Sequence, residues 1–372
     1  MSQAEIDLGE GDAGFVLGEG PVGILLIHGL TGTPTELRQV AKGLAKAGNC
    51  TVYVPTLAGH CGDNSDLQAT GWLDWYEGVR KTFVQVKQRH AQVFVGGLSM
   101  GAVMSMYVAA EHPGQVAGLL MYSTTLKYDG WSIHKLAFLT PLLMKIPFGV
   151  HICRFEEKPP YGIKNERLRA IVERQMKEGE SSEAGLLTME GITVRELHRM
   201  NAVVKKRMPE VKVPALVLHS IEDDITSRWN ADYVERHLGG PVTKILLDNC
   251  YHMITVDLQY RRVIELSAEF VEQHARISGE RVSQGQRASA AEAGLHGETA
   301  SHAGAGLQAE PAAHAEPVFQ GEAASHAGSV FQAEPAAYAE PVFQAEPAPR
   351  GERACPALGG EAAPSLTLHA SR

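Results

Sequence analysis

The sequence predicts an α/β protein: a mostly parallel central sheet with helices on both faces, a helical insertion over one edge, and a long disordered tail. Three observations lead there. Short continuous apolar runs alternate with helical stretches, as expected of strands buried on both faces and joined by crossover helices. One such run ends in a glycine–serine–glycine turn that opens directly into a helix. The composition changes abruptly after Arg276.

The elements follow in order. Val22 to Ile27 is an unbroken apolar run and reads as a buried strand. Thr33, Pro34 and Glu36 then open a helix, with Thr33 as cap, Pro34 at the first helical position and Glu36 closing a capping box. Leu37, Val40, Leu44 and Ala47 give that helix one apolar side. Thr51 to Pro55 is the next strand, Trp72 to His90 a helix, Val93 to Leu98 a strand, Met100 to Glu111 a helix and Val116 to Tyr122 a strand. Alternation resumes with a strand at Pro214 to His219, a helix at Asn230 to Leu238, a strand at Thr243 to Leu247 and a final helix at Arg261 to His274. Between these halves, residues 124–209 break the pattern with a proline-broken apolar part, Leu136 to Val150, and a charged helical part, Asn165 to Lys177. This segment reads as a cap over the carboxyl edge of the sheet, where open α/β sheets bind ligands.

The folded body is thus expected to be 1–275. Beyond it, 276–372 is rich in Ala, Glu, Gly, Pro, Gln and His, with Phe319, Phe331, Tyr338 and Phe343 as its only aromatics. Too little apolar surface is present there to offset the entropy of ordering the chain. Within it, Ser301 to Gly304 recurs at Ser325 to Gly328, and Glu316 to Gln320 at Glu340 to Gln344, an offset of 24 residues. Two copies full of Pro and Ala do not make a solenoid, so the tail is expected to be disordered, with any docking partner unspecified.

Charge and cysteines narrow the function classes. The 372 residues carry a net charge of −9, so no basic field exists to hold a phosphate backbone, and nucleic acid is not an expected partner. Pro141, Lys145 and Pro147 interrupt the longest apolar stretch, short of the ~20 residues a membrane span needs. The acidic, glycine-rich start lacks the marks of a signal peptide. The five cysteines have no CxxC spacing, which argues against a disulfide framework or a zinc site and points to a reducing, cytoplasmic setting.

The chemistry centres on Gly97-Leu98-Ser99-Met100-Gly101. A G-x-S-x-G string alone is a weak signal, and a glycine-rich turn with a capping serine would show the same five residues. Here it follows a buried strand and precedes a helix, the setting a nucleophile elbow requires. The glycines two before and two after the serine avoid a collision in the tight turn, and the hydroxyl projects beside a helix N-terminus. A serine hydroxyl needs a base. His252, in the loop after the last strand, is the best candidate; His28 and His60 compete from loops at other strand ends. The base needs an orienting carboxylate. Asp223 follows its strand at the same edge and is preferred, although Glu222 and Asp224 flank it and spacing does not force the choice. The oxyanion donors are expected to be the backbone N–H of Met100 and of Leu30, the latter in the turn His28-Gly29-Leu30-Thr31-Gly32. No metal or organic cofactor is called for.

Together these residues resemble the α/β-hydrolase superfamily, and within it the bacterial carboxylesterase and monoacylglycerol-lipase-like group. The marks are His28 to Gly32, Ala58 to Cys61, Thr70 to Tyr76, Gly96 to Gly101, Ile221 to Ile225 and Tyr251 to Asp257, in the family's order. The resemblance covers Gly20 to Gln273. It implies an α/β-hydrolase fold and a serine triad of Ser99, Asp223 and His252, with Leu30 and Met100 as oxyanion donors, acting on a small-molecule carboxylic ester of short-to-medium acyl chain or monoacylglycerol type. One departure is local: Cys61 follows His60 where related sequences usually carry Gly. The apolar cap residues Leu136, Phe138, Leu139, Leu142, Leu143, Met144, Ile146, Phe148 and Val150 are expected to line an acyl pocket or meet a lipid interface, or else to pack on the sheet. Competing readings are a thioesterase or acyltransferase with the same triad, and a non-catalytic binding protein on the same fold. A dinucleotide site is weak, because Gly29 and Gly32 lack the G-x-G-x-x-G order.

Overall fold

The computed structural model describes residues 6–275, apart from 10, 12, 48, 135–139, 144–149, 151–152, 179–184 and 187. These lie within a first compact unit, Met1–Ala303; a second, Gly304–Arg372, lies wholly outside the described residues, as does the expected disordered tail from 276 onward. No helix among the described residues is long and apolar enough to cross a membrane.

Seven strands form the central sheet: β1 (Phe15–Leu17), β2 (Val22–Ile27), β3 (Cys50–Val54), β4 (Gln92–Leu98), β5 (Gly118–Tyr122), β8 (Ala215–Ser220) and β9 (Val242–Leu247). Their order is β1-β3-β2-β4-β5-β8-β9. Only β1 is antiparallel, pairing Phe15 with Val54 at the edge; every other pair is parallel. The strands read as apolar throughout because both faces are covered, and alternate residues go to opposite cores. Leu25 and Ile27 of β2 and Val93 and Val95 of β4 join one cluster, while Ile24, Leu26 and Phe94 join the other.

The second cluster is closed by α1 (Arg38–Ala47), through Val40, Ala41 and Leu44, and by a helix over 260–275, through Val263, Leu266, Phe270 and Val271. The first is closed by α3 (Trp72–Arg89), α4 (Met100–Glu111) and α8 (Trp229–His237). A short α2 (Asn64–Gln68) precedes α3 and starts with the full capping box, Asp63 with Asp66.

Between β5 and β8 the chain leaves the sheet. It forms α5 (Thr140–Leu143), a small antiparallel pair of β6 (Arg154–Glu156) and β7 (Thr188–Glu190), α6 (Glu166–Glu178) and α7 (Gly191–Arg207). Leu197, Met200 and Val204 of α7 are buried in the same core as α3 and α4, so this part of the insertion is packed on the body of the fold. Most of the expected apolar cap run lies outside the described residues. Of those described, Val150 is buried and Leu142 is 64% exposed.

Two local expectations change. The segment after Thr33 begins as a 3-10 turn, Pro34–Leu37, before α1. Thr33 does cap it, but its hydroxyl accepts from Thr35 N–H at 3.3 Å and not from residue 36, so the expected capping box is only half formed. The half that forms is the one made by Glu36, which also turns inward. Its carboxylate meets the backbone N–H of Thr33 and accepts that of Gly29 at 3.0 Å.

Candidate active site

The backbone is strained at the carboxyl ends of four strands. Non-glycine residues with positive φ stand after β2 (Thr31, 64°), β4 (Ser99, 58°), β5 (Ser123, 44°) and β9 (Asn249, 50°). Each such conformation costs on the order of 1–3 kcal/mol and persists only where the surroundings over-determine it. Their convergence on one edge marks the site.

Ser99 sits between β4 and α4, at the N-terminus of a buried helix. Its N–H continues the sheet ladder to Tyr122 O at 2.8 Å. The flanking glycines are sterically required. A Cβ at Gly101 would overlap the Ile27 carbonyl and stand 2.7 Å from His28 O; one at Gly97 would stand 2.7 Å from the Gly101 carbonyl carbon. The turn is therefore tight against the end of β2 as well as against itself.

Glu222, Asp223 and Asp224 are consecutive after β8, yet each does a different job. Asp223 takes the imidazole, Oδ2 lying 2.8 Å from His252 Nδ1. The same carboxylate accepts from Ile225 N–H (2.9 Å), Thr226 N–H (2.7 Å) and Thr226 Oγ1 (2.9 Å). Asp224 holds main chain, accepting from His252 N–H at 3.4 Å and Gly162 N–H at 3.1 Å. Glu222 pairs with Lys164 Nζ at 2.6 Å and accepts Asn249 N–H at 3.0 Å. A second histidine, His219 on β8, stands 3.7 Å from Asp223 and bonds to Thr226 O at 3.1 Å. Burial pushes its pKa down despite Asp223, leaving it a neutral support for this loop.

Electrostatics favour a base at 252. Burial pulls the proton affinity of His252 down, but the charge of Asp223, its hydrogen bond, and the charges of Asp224 and Glu36 outweigh this, and the net shift is upward. Asp223 moves the opposite way: burial raises its pKa, the adjacent imidazole lowers it more, and it stays ionised. The competing histidines are structural. His28 receives Leu57 N–H on Nε2 at 3.2 Å, and burial together with His60 lowers its pKa to about 3. His60 packs edge-on to His28 and Trp75, and burial lowers its pKa to about 4. The departure at Cys61 is absorbed by strain, since this residue adopts a left-handed φ of 66° that glycine would take freely.

The turn after β2 passes beside Ser99; a methyl group on Gly29 would lie 3.7 Å from Ser99 Cβ. Among the described residues, neither Leu30 N–H nor Met100 N–H donates a hydrogen bond to another protein group. Two carboxyls brace this turn, and sequence reasoning missed both roles. Glu36 holds Gly29 N–H, and Glu157, 126 residues from its partner, accepts from Thr31 Oγ1 at 3.1 Å. The Thr31 hydroxyl also points to Leu30 O, and Leu186 N–H reaches Thr31 O at 2.9 Å. Burial pushes Glu36 and Glu157 each up to about 7, with the charge of Glu157 adding to the rise at Glu36 and that of Asp224 to the rise at Glu157. Proximity of Glu36 to the glycine turn was a usable signal; nothing local in sequence could pair it with Glu157.

One expected contact is not made. The Ser99 hydroxyl bonds to Thr125 Oγ1 at 2.7 Å, and among the described residues no hydrogen bond joins it to the His252 ring. The loop after β5, which carries Thr125, is tied to the histidine loop by Ser123, whose hydroxyl donates to His252 O at 2.7 Å.

The sequence profile of the family described as serine aminopeptidase, S33, matches residues 22–259. A thermostable monoacylglycerol lipase of Bacillus sp. (strain H-257) is 30% identical over 256 residues, which are 68% of this chain and 92% of that one. A carboxylesterase of Bacillus subtilis (strain 168) is 22% identical over 251 residues, 67% and 92% of the two chains. Among solved structures, one reported for the metagenome-derived lipolytic enzymes LipS and LipT superposes with a TM-score of 0.59 at 24% identity, covering 70% of this chain and 97% of that one, a likeness of fold.

Proposed function

Since the chain belongs to the serine aminopeptidase S33 family of α/β hydrolases, we propose that it cleaves carboxylic esters with Ser99 as nucleophile, His252 as base and Asp223 as orienting carboxylate. The observation that carries the assignment is the 2.8 Å bond between Asp223 Oδ2 and His252 Nδ1, formed at the strand edge where Ser99 sits on its strained turn. It is a serine hydrolase acting on ester bonds. In the cycle, Asp223 holds the proton on Nδ1 and so leaves Nε2 free to accept the proton of Ser99 as Oγ attacks the ester carbonyl. The oxyanion develops between the N–H groups of Leu30 and Met100, which have no other partner among the described residues to give up. His252 protonates the departing alcohol, then activates the water that releases the acid from the acyl-serine.

The substrate class is a monoacylglycerol-like or short-to-medium acyl ester, supported by the name of the relative that is 30% identical. Contact with a lipid interface through the cap is part of the same proposal. It is supported by Leu142 at 64% exposure and by Trp131 and Ile221, each 61% exposed, the last directly after β8. The cytoplasmic setting is supported by the cysteine spacing and by free thiols at Cys61, Cys153 and Cys250.

A fluorophosphonate probe tests the assignment: labelling is expected at Ser99 and is lost in Ser99→Ala. A panel of nitrophenyl esters of increasing chain length, run beside matched thioesters, reads the substrate class. Absence of turnover at every length rejects the esterase, and faster thioester cleavage favours the thioesterase reading.

A further inference from the structure

The nucleophile is held by a side chain that the cycle above does not use. Thr125 Oγ1 lies 2.7 Å from Ser99 Oγ, and Thr125 N–H reaches Ser99 O at 3.4 Å. The Thr125 hydroxyl has a second acceptor in Ser123 O at 3.2 Å. When it donates there, its lone pairs receive the Ser99 proton, which is then directed away from the imidazole.

Thr125 is itself fixed from two other elements. Asn201 of α7, buried, donates to Thr125 O at 3.2 Å and to Leu126 O at 3.3 Å. Asn230 of α8 accepts from Leu126 N–H and Lys127 N–H, both at 2.9 Å. The residue therefore has little freedom to follow the serine. The serine hydroxyl, by contrast, turns about a single side-chain bond.

We propose that Thr125 is a positioning residue that holds the Ser99 hydroxyl off His252 in the resting enzyme, so that the nucleophile meets its base only after this bond breaks. The proposal rests on the reading of Ser99 as the nucleophile. Breaking the Ser99–Thr125 bond precedes proton transfer, so it slows every attack by the same factor at every pH and leaves the titration of His252 where it is.

The test is the second-order rate of fluorophosphonate labelling in the full chain. Thr125→Val keeps the branched shape without the hydroxyl and is expected to label about fivefold faster, the equivalent of about 1 kcal/mol for one net hydrogen bond. Thr125→Ser is expected to keep the wild-type rate, and the inflection of rate against pH is expected to be the same in all three proteins. Thr125→Ala serves as a second hydroxyl-free variant should the valine fail to fold, with the same acceleration expected. A merely structural threonine would give slower or unchanged labelling in Val and Ala, and that result, or a Ser variant that tracks Val, overturns the proposal. Labelling of the wild type that survives Ser99→Ala or His252→Ala overturns the catalytic reading beneath it. Labelling that needs both residues but does not quicken in Thr125→Val overturns the proposal for Thr125 alone.

Discussion

Glu36→Gln is expected to stabilise the protein at alkaline pH and to leave it unchanged in acid. Burial, with the repulsion of Glu157, pushes the Glu36 carboxyl from 4.5 up to about 7, so the folded chain holds this proton more tightly than the unfolded chain does. Below about 4.5 both states are protonated and the group contributes nothing to the pH dependence. Between 4.5 and about 7 the unfolded chain ionises first, and stability falls as pH rises; above 7 the loss is complete. At about 1.4 kcal/mol per pH unit the full effect is about 3 kcal/mol at most. Glutamine cannot ionise, and its carbonyl still accepts one of the two backbone N–H groups, as a protonated carboxyl does. The variant should therefore match the wild type near pH 4.5 and exceed it by about 2–3 kcal/mol at pH 8. Urea unfolding followed by tryptophan fluorescence at the two pH values measures this. A stability difference that is the same at both pH values, or a variant weaker at pH 8, refutes the account of Glu36 as a carboxyl raised by burial.

Two further outcomes follow from the site. Asp223→Asn keeps acceptors for the N–H groups of Ile225 and Thr226 but removes the charge that raises the pKa of His252. Ester turnover should fall by about 10³–10⁴-fold in kcat, and the acid limb of any residual activity should move to lower pH; a limb that stays in place would exclude Asp223 as the group that raises it. Gly101→Ala should be among the most damaging single substitutions, at about 4–5 kcal/mol or more, because its Cβ meets the backbone of Ile27 and His28 and not a side chain able to turn away; a thermal scan showing a near-normal midpoint would contradict the tight-turn geometry.

What the sequence determined by itself was governed by short-range physics. Residues 22–27, 93–98 and 215–219 announce buried strands because a strand covered on both faces must be apolar at every position. The elbow at Ser99 is legible because a G-x-S-x-G string lies directly between a buried strand and a helix, although the nearest atoms that demand glycine at 97 and 101 belong to Ile27 and His28 at the end of β2. His252 and the acidic run after β8 are legible as loops at one edge, since parallel strands all end on the same side. The antiparallel edge strand β1 was not legible, because three residues carry too little periodicity to stand out from a loop.

The tertiary structure decided the rest. Sequence preferred Asp223 but spacing could not force it over Glu222 and Asp224, because the choice depends on where the His252 loop crosses them, and that loop is positioned by β9. It placed Glu36 in a helix cap, the local solution, and the carboxylate does meet Thr33 N–H there, but the fold also brings the turn after β2 and Glu157 alongside, so that the same carboxylate accepts Gly29 N–H. It assigned the Ser99 hydroxyl to the base that chemistry requires, whereas the register of β4 beside β5 sets Thr125 within 2.7 Å of it. Local sterics and hydration act over a few residues and leave their record in the sequence. Hydrogen bonds between loops on neighbouring strands are fixed only when the sheet sets their register, and neither loop alone encodes them.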